Sequence, residues 1–162
     1  MKLFKPTFWE KKSIISFILF PLSLITLFIN QIKKLSSKKN FNIKTICIGN
    51  IYIGGTGKTS LAIEIYKMLN KKYRTVFIKK KYSNQIDEIK QLKKNGIVIA
   101  DQSRKKALST AEKKKFQIAI LDDGLQQKDI NYDIKIVCFN SKEGIGNNFV
   151  IPSGPLREKL SE

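Results

Sequence analysis

The chain has 162 residues and carries 31 lysines and arginines against 13 acidic residues, a formal net charge of +18. Its hydrophobic content of 42% excludes a disordered protein and predicts one globular domain with an appendage. The absence of histidine excludes imidazole catalysis and histidine metal sites for the chain acting alone. Cys47 and Cys138 each lie in an apolar run, which indicates buried thiols in a reducing compartment.

The positive charge is almost entirely lysine, since Arg74, Arg104 and Arg157 are the only arginines. The lysines are spread over every predicted helix and do not form a discrete basic patch. We therefore interpret them mainly as solvated surface residues and predict no nucleic-acid partner.

An uncharged apolar stretch covers residues 13–32, with two lysines on each side. Its ~20 residues are just enough to span a bilayer as a helix. Pro21 near its middle and the basic residues on both flanks argue against a simple span, so a spanning or re-entrant anchor, an interfacial helix and, less favoured, a buried core helix remain open. The first two predict contact with membrane lipids, and we divide the chain into a membrane-associating helix with a basic linker, 1–40, and a catalytic body, 41–162.

From residue 43 onward, apolar runs alternate with helical patterns. This alternation predicts an α/β three-layer sandwich of the P-loop NTPase type, with a mostly parallel sheet of about five strands. The expected strands cover 43–51, 74–80, 96–100, 117–123 and 133–139, and the expected helices cover 60–73, 86–95 and 103–115. In the first of these helices, Leu61, Ile65, Met68 and Leu69 are expected on one helical face. After Phe139 the periodicity stops.

A glycine-rich segment, GGTGKTS, lies between the first strand and the first helix of this pattern. Such a loop turns backbone N–H groups toward an anion, and the following helix presents its positive end to the same phosphates. The pattern predicts that Lys58 reaches the β- and γ-phosphates of ATP and that the Thr59 hydroxyl ligates Mg²⁺. Tyr52 stands where the full pattern has its first glycine. The predicted nucleotide-binding residues are Gly54, Gly55, Thr56, Gly57, Lys58, Thr59 and Ser60.

A second acidic element follows the strand QIAIL. Asp122 and Asp123 come at its carboxyl end, where ligands bind in open parallel sheets. One of them is expected to be the acidic partner of Mg²⁺.

Three segments in this order, GNIYIGGTGKTS, LDDGLQQ and GIGNNFVIPSGPLRE, resemble the tetraacyldisaccharide 4'-kinase family of lipid A biosynthesis. The resemblance implies an ATP-dependent kinase that phosphorylates the 4'-hydroxyl of an acylated glucosamine disaccharide 1-phosphate, the lipid A precursor. It also implies a location at the cytoplasmic face of the inner membrane.

Carried over by position, Asp87 matches the acidic residue of a family Gly-Asp-Glu motif and becomes the candidate catalytic base, with Glu88 beside it. Arg157 in the PSGPLRE loop and Arg104 also match family arginines. Without the resemblance, Asp87 would be interpreted as a solvated acid at a helix start.

The chain departs from the family at several points. The family's Ser-Arg-Gly-Tyr-Gly reads KKKYS here, with Lys80 at the arginine position and Tyr82 kept. Gln127 replaces a histidine, and Tyr132 replaces an arginine, although the following Asp133 stays. Family members are about twice as long, so a second lobe is expected to be missing, and a separate chain could supply it.

Two other readings stay open at this point. The chain could be a non-catalytic or partner-dependent nucleotide-binding fragment on a membrane, which the length and the KKKYS segment favour. It could also be a P-loop ATPase of the partitioning or assembly type, but the PSGPLRE tail has no place in that mechanism.

Overall fold

A computed structural model describes residues 5–82 and 86–160; Ser83 of the KKKYS segment lies outside this part. The described chain divides into two compact units. One comprises residues up to 37 together with 50–56 and those from 137 onward, and the other comprises 38–49 and 57–136. Beyond a 3₁₀ turn at Thr7–Trp9, the elements are α1 (Ile14–Lys34), β1 (Lys44–Gly49), α2 (Lys58–Leu69), β2 (Thr75–Lys80), α3 (Ile86–Asn95), β3 (Val98–Asp101), α4 (Arg104–Lys113), β4 (Ile118–Asp122) and β5 (Ile134–Val137).

The second unit is built on the predicted sheet. Five strands lie in the order β3-β2-β4-β1-β5, and the pairs β1 with β4, β2 with β4 and β2 with β3 are parallel. Since parallel neighbours need crossover connections, the intervening segments are helices, as the alternating pattern predicted. The predicted type of every element is confirmed, with ends shifted by a few residues.

The two faces of the sheet are covered by different helices, which makes three layers. Along β2, Val76 and Ile78 belong to a core cluster shared with α4, whereas the Phe77 ring stacks on Tyr66 of α2. Successive side chains of a strand point to opposite faces, so α4 covers one face and α2 the other. The α/β three-layer prediction is therefore confirmed.

The buried face of α2 differs from the predicted apolar face. Ala62, Ile63 and Tyr66 are buried, whereas Leu61 is 36% and Met68 71% exposed. The helix begins at Lys58, and its small Ala62 and its Tyr66 ring fit against the sheet where a purely apolar period would have placed longer side chains. Leu61, Ile65, Met68 and Leu69 share one face of α2, but this apolar face is not the one buried against the sheet.

The first unit contains α1 and the segment after β5. Helix α1 continues through Pro21 without a break, so the proline does not divide it as its position suggested; a proline removes only one backbone donor. Among the described residues after Val137 there is no further helix or strand, in agreement with the loss of periodicity.

Candidate active site

The start of α2 forms the centre of the site. Gly57 precedes the helix with a left-handed φ of 73°, a conformation that glycine adopts without strain. Helix α2 begins at Lys58, two residues earlier than predicted, so Lys58, Thr59 and Ser60 lie in its first turn. The first backbone N–H groups of a helix lack partners within it and carry the positive end of its dipole. This turn is therefore suited to hold an anion.

The glycine loop ahead of this turn lies in the first unit. Gly54 has a φ of 143°, which only glycine readily adopts, whereas a Cβ at Gly55 would meet no atom within 4 Å. The buried Asn50 side chain closes the loop, because its Nδ2 donates to the carbonyls of Tyr52 and Gly54. Asn50 was not among the predicted site residues; its place in the motif GNIYIGG was the available signal.

Thr59 and Asp122 are brought together at the carboxyl edge of the sheet. The Thr59 hydroxyl donates to Asp122 Oδ2 over 3.2 Å. Asp122 ends β4 and is fully buried, and its other oxygen, Oδ1, has no hydrogen-bond partner in the described part of the chain. A buried carboxylate oxygen without a partner is unfavourable unless something else binds there.

This pair fits a magnesium ion. Mg²⁺ prefers oxygen ligands and is usually held by one or two protein groups together with phosphate oxygens and water. The described residues contain no group of three or more acidic, cysteine or histidine side chains that could hold a metal. A hydroxyl and a single carboxylate next to a phosphate-binding helix end do not require one.

A buried lysine that sequence reasoning missed lies against Asp122. Lys79 Nζ is 2.7 Å from Asp122 Oδ2 and 2.6 Å from Glu88 Oε2. Burial alone would lower the pKa of Lys79, but the two carboxylates outweigh it and raise that pKa. The available signal was a charged residue at an inward position of the apolar strand TVFIK.

The other two predicted carboxylates, Asp123 and Asp87, lie in different surroundings. Asp123 follows Asp122 with a left-handed φ of 61°, and its backbone N–H donates to the Ile48 carbonyl. Asp87, in the first turn of α3, is 99% exposed and lies 3.7 Å from Lys90, whereas its neighbour Glu88 binds Lys79. The structure thus joins Glu88 to Asp122 through Lys79, and it leaves the Asp87 carboxylate in solvent.

Arg104 organises the loop after β4. It is buried, and it donates to the Asp123 carbonyl and to Gln127 Oε1. Gln127, which stands where the family motif has histidine, therefore acts here as an acceptor for Arg104. Tyr132 donates to the Gly124 carbonyl over 3.1 Å and closes the same loop.

The PSGPLRE segment lies in the first unit, against α1. The backbone N–H of Arg157 donates to the Ile51 carbonyl, and its own carbonyl accepts from Asn30 of α1. Buried Asn147 donates to the carbonyls of Phe8 and Ser153. Hydrogen bonds to its backbone therefore hold this segment in place.

Comparisons with known proteins agree on one family. The family model described as tetraacyldisaccharide-1-P 4'-kinase matches residues 15–162. A tetraacyldisaccharide 4'-kinase of Pelagibacter ubique (strain HTCC1062) is 52% identical over 164 residues, which cover 99% of this chain and 52% of that protein. One of Rickettsia canadensis (strain McKiel) is 35% identical, over 98% of this chain and 54% of that protein. The chain thus spans about half the length of the curated relatives it matches.

A solved structure has the same fold. The crystal structure of the "apo" form of LpxK from Aquifex aeolicus in complex with ATP matches with a TM-score of 0.77 and 24% identity, over 91% of this chain and 56% of that one. This likeness independently supports the three-layer architecture. With a family model that matches residues 15 to 162, the chain belongs to the tetraacyldisaccharide-1-P 4'-kinase family.

Proposed function

We propose that the chain transfers the γ-phosphate of ATP to the 4'-hydroxyl of an acylated glucosamine disaccharide 1-phosphate. The observation that carries this proposal is the Thr59–Asp122 pair at the start of a helix that begins with Lys58. The family and the names of the relatives supply the acceptor, and the structural neighbour, crystallised with ATP, supplies the donor.

Each side chain then has one task. Backbone N–H groups of the first turn of α2 would hold the phosphates, and Lys58 would neutralise charge on the transferred group. Thr59 and Asp122 would hold Mg²⁺, which supplies further charge neutralisation when bound. Asp123 is the neighbouring carboxylate, and its role as a second metal partner stays a prediction.

Asp87 is the proposed proton acceptor. It would take the proton from the attacking 4'-hydroxyl as the bond to phosphorus forms. An exposed carboxylate suits an acceptor that arrives from outside the protein, and Lys90 is its described neighbour, 3.7 Å away. In a chain without histidine the proton acceptor would be a carboxylate, a lysine or water, and the family motif favours the carboxylate Asp87.

We also propose that α1 lies in the membrane interface rather than across the bilayer. It is the one helix in the described ranges that is long and apolar enough to span. However, Ser16, Ser23 and Asn30, spaced by seven residues, all hydrogen-bond to the first unit's own irregular segments. Irregular backbone does not occur against lipid in the hydrocarbon region, so a helix attached to it along its length fits an in-plane position.

The opposite side of α1 supports this membrane contact. Ile18 is 70%, Ile25 56% and Phe28 66% exposed. A continuous exposed apolar surface of this kind is typical of a membrane-binding helix. Spin labels on cysteines at positions 18, 25 and 32 should all report a similar shallow depth, whereas a label at 25 that lies much deeper than the other two would show a span. Together with the family's pathway, this membrane contact supports a location at the cytoplasmic face of the inner membrane.

The transfer reaction tests the kinase proposal directly. The full chain, reconstituted in lipid vesicles, is incubated with Mg²⁺, γ-labelled ATP and the acylated disaccharide 1-phosphate. Label is expected in the lipid with the unmodified chain and with the exposed control Lys93→Ala, but not with Lys58→Ala. ATP binding without transfer by the unmodified chain would refute stand-alone activity and leave a binding-only or partner-dependent fragment.

A further inference from the structure

A carboxylate–ammonium–carboxylate bridge, formed by Glu88, Lys79 and Asp122, lies behind the phosphate-binding turn. Lys79 is 1% exposed, yet its ammonium group contacts both carboxylates at hydrogen-bonding distance. Lysine is almost never fully buried unless it is paired. The two carboxylates therefore stabilise the buried ammonium group of Lys79, and the bridge is part of the structure of the site.

The register of the sheet explains why these residues meet. Ile78 of β2 pairs with Leu121 of β4, so Lys79 and Asp122 are the next residues along two adjacent parallel strands. Both lie one residue beyond the core residues that face α4, and hence on the face that α2 covers. Any residue at position 79 would point at Asp122.

The bridge gives the two carboxylate oxygens of Asp122 different surroundings. Oδ2 accepts from both Lys79 and Thr59, whereas Oδ1 has no partner within the described ranges. A carboxylate held by one oxygen presents the other in a fixed direction. Partners of this kind, one layer behind the ligand, orient carboxylates in metal sites.

The other end of the bridge reaches the proposed proton acceptor. Glu88 lies in the first turn of α3, immediately after Asp87, and its side chain is 45% exposed while Lys79 is buried beneath it. The ion pair therefore ties the start of α3 to the carboxyl edge of the sheet. An ammonium group has three donors and no acceptor, so one lysine can hold both carboxylates at once.

We propose that Lys79 is a positioning residue that orients Asp122 toward the nucleotide's metal and, through Glu88, fixes the turn that carries Asp87. This inference rests on the proposed nucleotide site. It assigns a role to the first residue of the KKKYS segment, where the chain departs from its family's motif.

The Asp122 end is tested by ATP binding to the full chain in vesicles, measured by calorimetry with Mg²⁺ and with EDTA. In Lys79→Met the affinity in Mg²⁺ should fall by about tenfold or more, as is typical for partners of metal ligands, while the affinity in EDTA stays within about twofold. Lys79→Arg can still donate to both carboxylates and should recover most of the lost ATP affinity. The control Lys93→Met should bind ATP like the unmodified chain. Thermal unfolding checks that each variant is folded.

The Glu88 end is tested with a variant at a half-exposed position, which should fold even if Lys79→Met does not. In Glu88→Gln, affinity for ATP with Mg²⁺ should remain unchanged, because Lys79 still holds Asp122. Hydrogen exchange of the first turn of α3 should slow when ATP and Mg²⁺ bind to the unmodified chain, and this slowing should be lost in Glu88→Gln.

The outcomes separate this inference from the proposed function. The positioning role would be overturned by a folded Lys79→Met chain whose ATP affinity responds to Mg²⁺ as in the unmodified chain. It would also be overturned by a Glu88→Gln chain in which ATP and Mg²⁺ slow hydrogen exchange in α3 as in the unmodified chain. Either result would leave the proposed nucleotide site standing. An unmodified chain that does not bind ATP would overturn both.

Discussion

Asp133 illustrates how a residue shared with the family motif is used inside the fold. Its Oδ2 accepts from the Thr45 backbone N–H and from the Thr45 hydroxyl, at 2.9 and 2.8 Å, and Lys44 lies beside it. Partial burial alone would raise the pKa of Asp133, but these donors and Lys44 outweigh it and lower that pKa. Asp133 therefore secures the start of β1.

Replacing this carboxylate should destabilise the chain in a pH-dependent way. In Asp133→Asn the free energy of unfolding at pH 7 should fall by about 1 kcal/mol, an estimate reduced for the partial exposure of the group. Because the folded pKa is lower than the unfolded one, the stabilisation is complete above the unfolded value and is lost as pH falls through the folded value. Urea unfolding should show the difference between the two chains shrinking below about pH 4. Equal stability of the two chains at pH 7 would contradict this role, and the exposed Asp87→Asn serves as control.

Cys47 should be chemically inert in the folded chain. It is fully buried in β1, and burial raises the pKa of its thiol to about 12. At pH 8 roughly one thiol in ten thousand would then be ionised, and thiolate is the reactive form. In a Cys138→Ser background, iodoacetamide should label the unfolded chain but not the folded one. Rapid labelling of the folded chain would show that β1 is not packed as described.

At the scale of elements, α1 combines two faces that the sequence presents as one apolar run. Ser23 donates to the Val150 carbonyl over 2.6 Å and accepts from the Ser153 backbone N–H. The serines look like dilution in a hydropathy pattern. The partners of Ser23 lie more than a hundred residues later, so local sequence could not reveal that it binds Ser153 of the PSGPLRE segment.

This attachment predicts a specific loss of stability. Ser23→Ala removes only the hydroxyl group and leaves the Ser153 N–H and the Val150 carbonyl without their partner, which should cost about 1–3 kcal/mol. For a chain of this length the melting temperature should drop by about 2–4 °C per kcal/mol. Ser36→Ala, at an exposed position just after α1, should melt like the unmodified chain. A Ser23→Ala chain that melts like the unmodified chain would contradict the attachment of α1 to the segment.

Element types were predictable because apolar periodicity and the glycine loop each act locally. Sequence reasoning failed where contacts between distant parts of the chain determine which side chains are buried or paired. The buried face of α2 is set by Ala62 and Tyr66 against the sheet, and the position of Lys79 is set by the register of β2 against β4. The sequence predicted Thr59 and one or both of Asp122 and Asp123 as Mg²⁺ partners because these residues belong to motifs with a known chemical pairing, whereas nothing local joined Lys79 to Glu88.

At the scale of the whole molecule, the charge of +18 and the exposed side of α1 predict membrane binding with two components. Lysines near an anionic surface contribute about 1 kcal/mol each, and salt screens them within about a Debye length. Binding to anionic vesicles should therefore weaken with salt to a plateau carried by α1. The triple variant Ile18→Ser, Ile25→Ser, Phe28→Ser should lose that plateau in a flotation assay. Complete release of the unmodified chain by salt would contradict a contribution from α1.

The central claim is that the first turn of α2 and Asp122 form one site for ATP and Mg²⁺, and ATP affinity with and without Mg²⁺ tests it most directly. We predict that Mg²⁺ tightens binding to the unmodified chain and to Thr59→Ser, which keeps the hydroxyl. The tightening should disappear in Thr59→Ala and in Asp122→Asn. An unmodified chain that binds ATP equally well in EDTA, or variants that retain the full effect of Mg²⁺, would contradict the account.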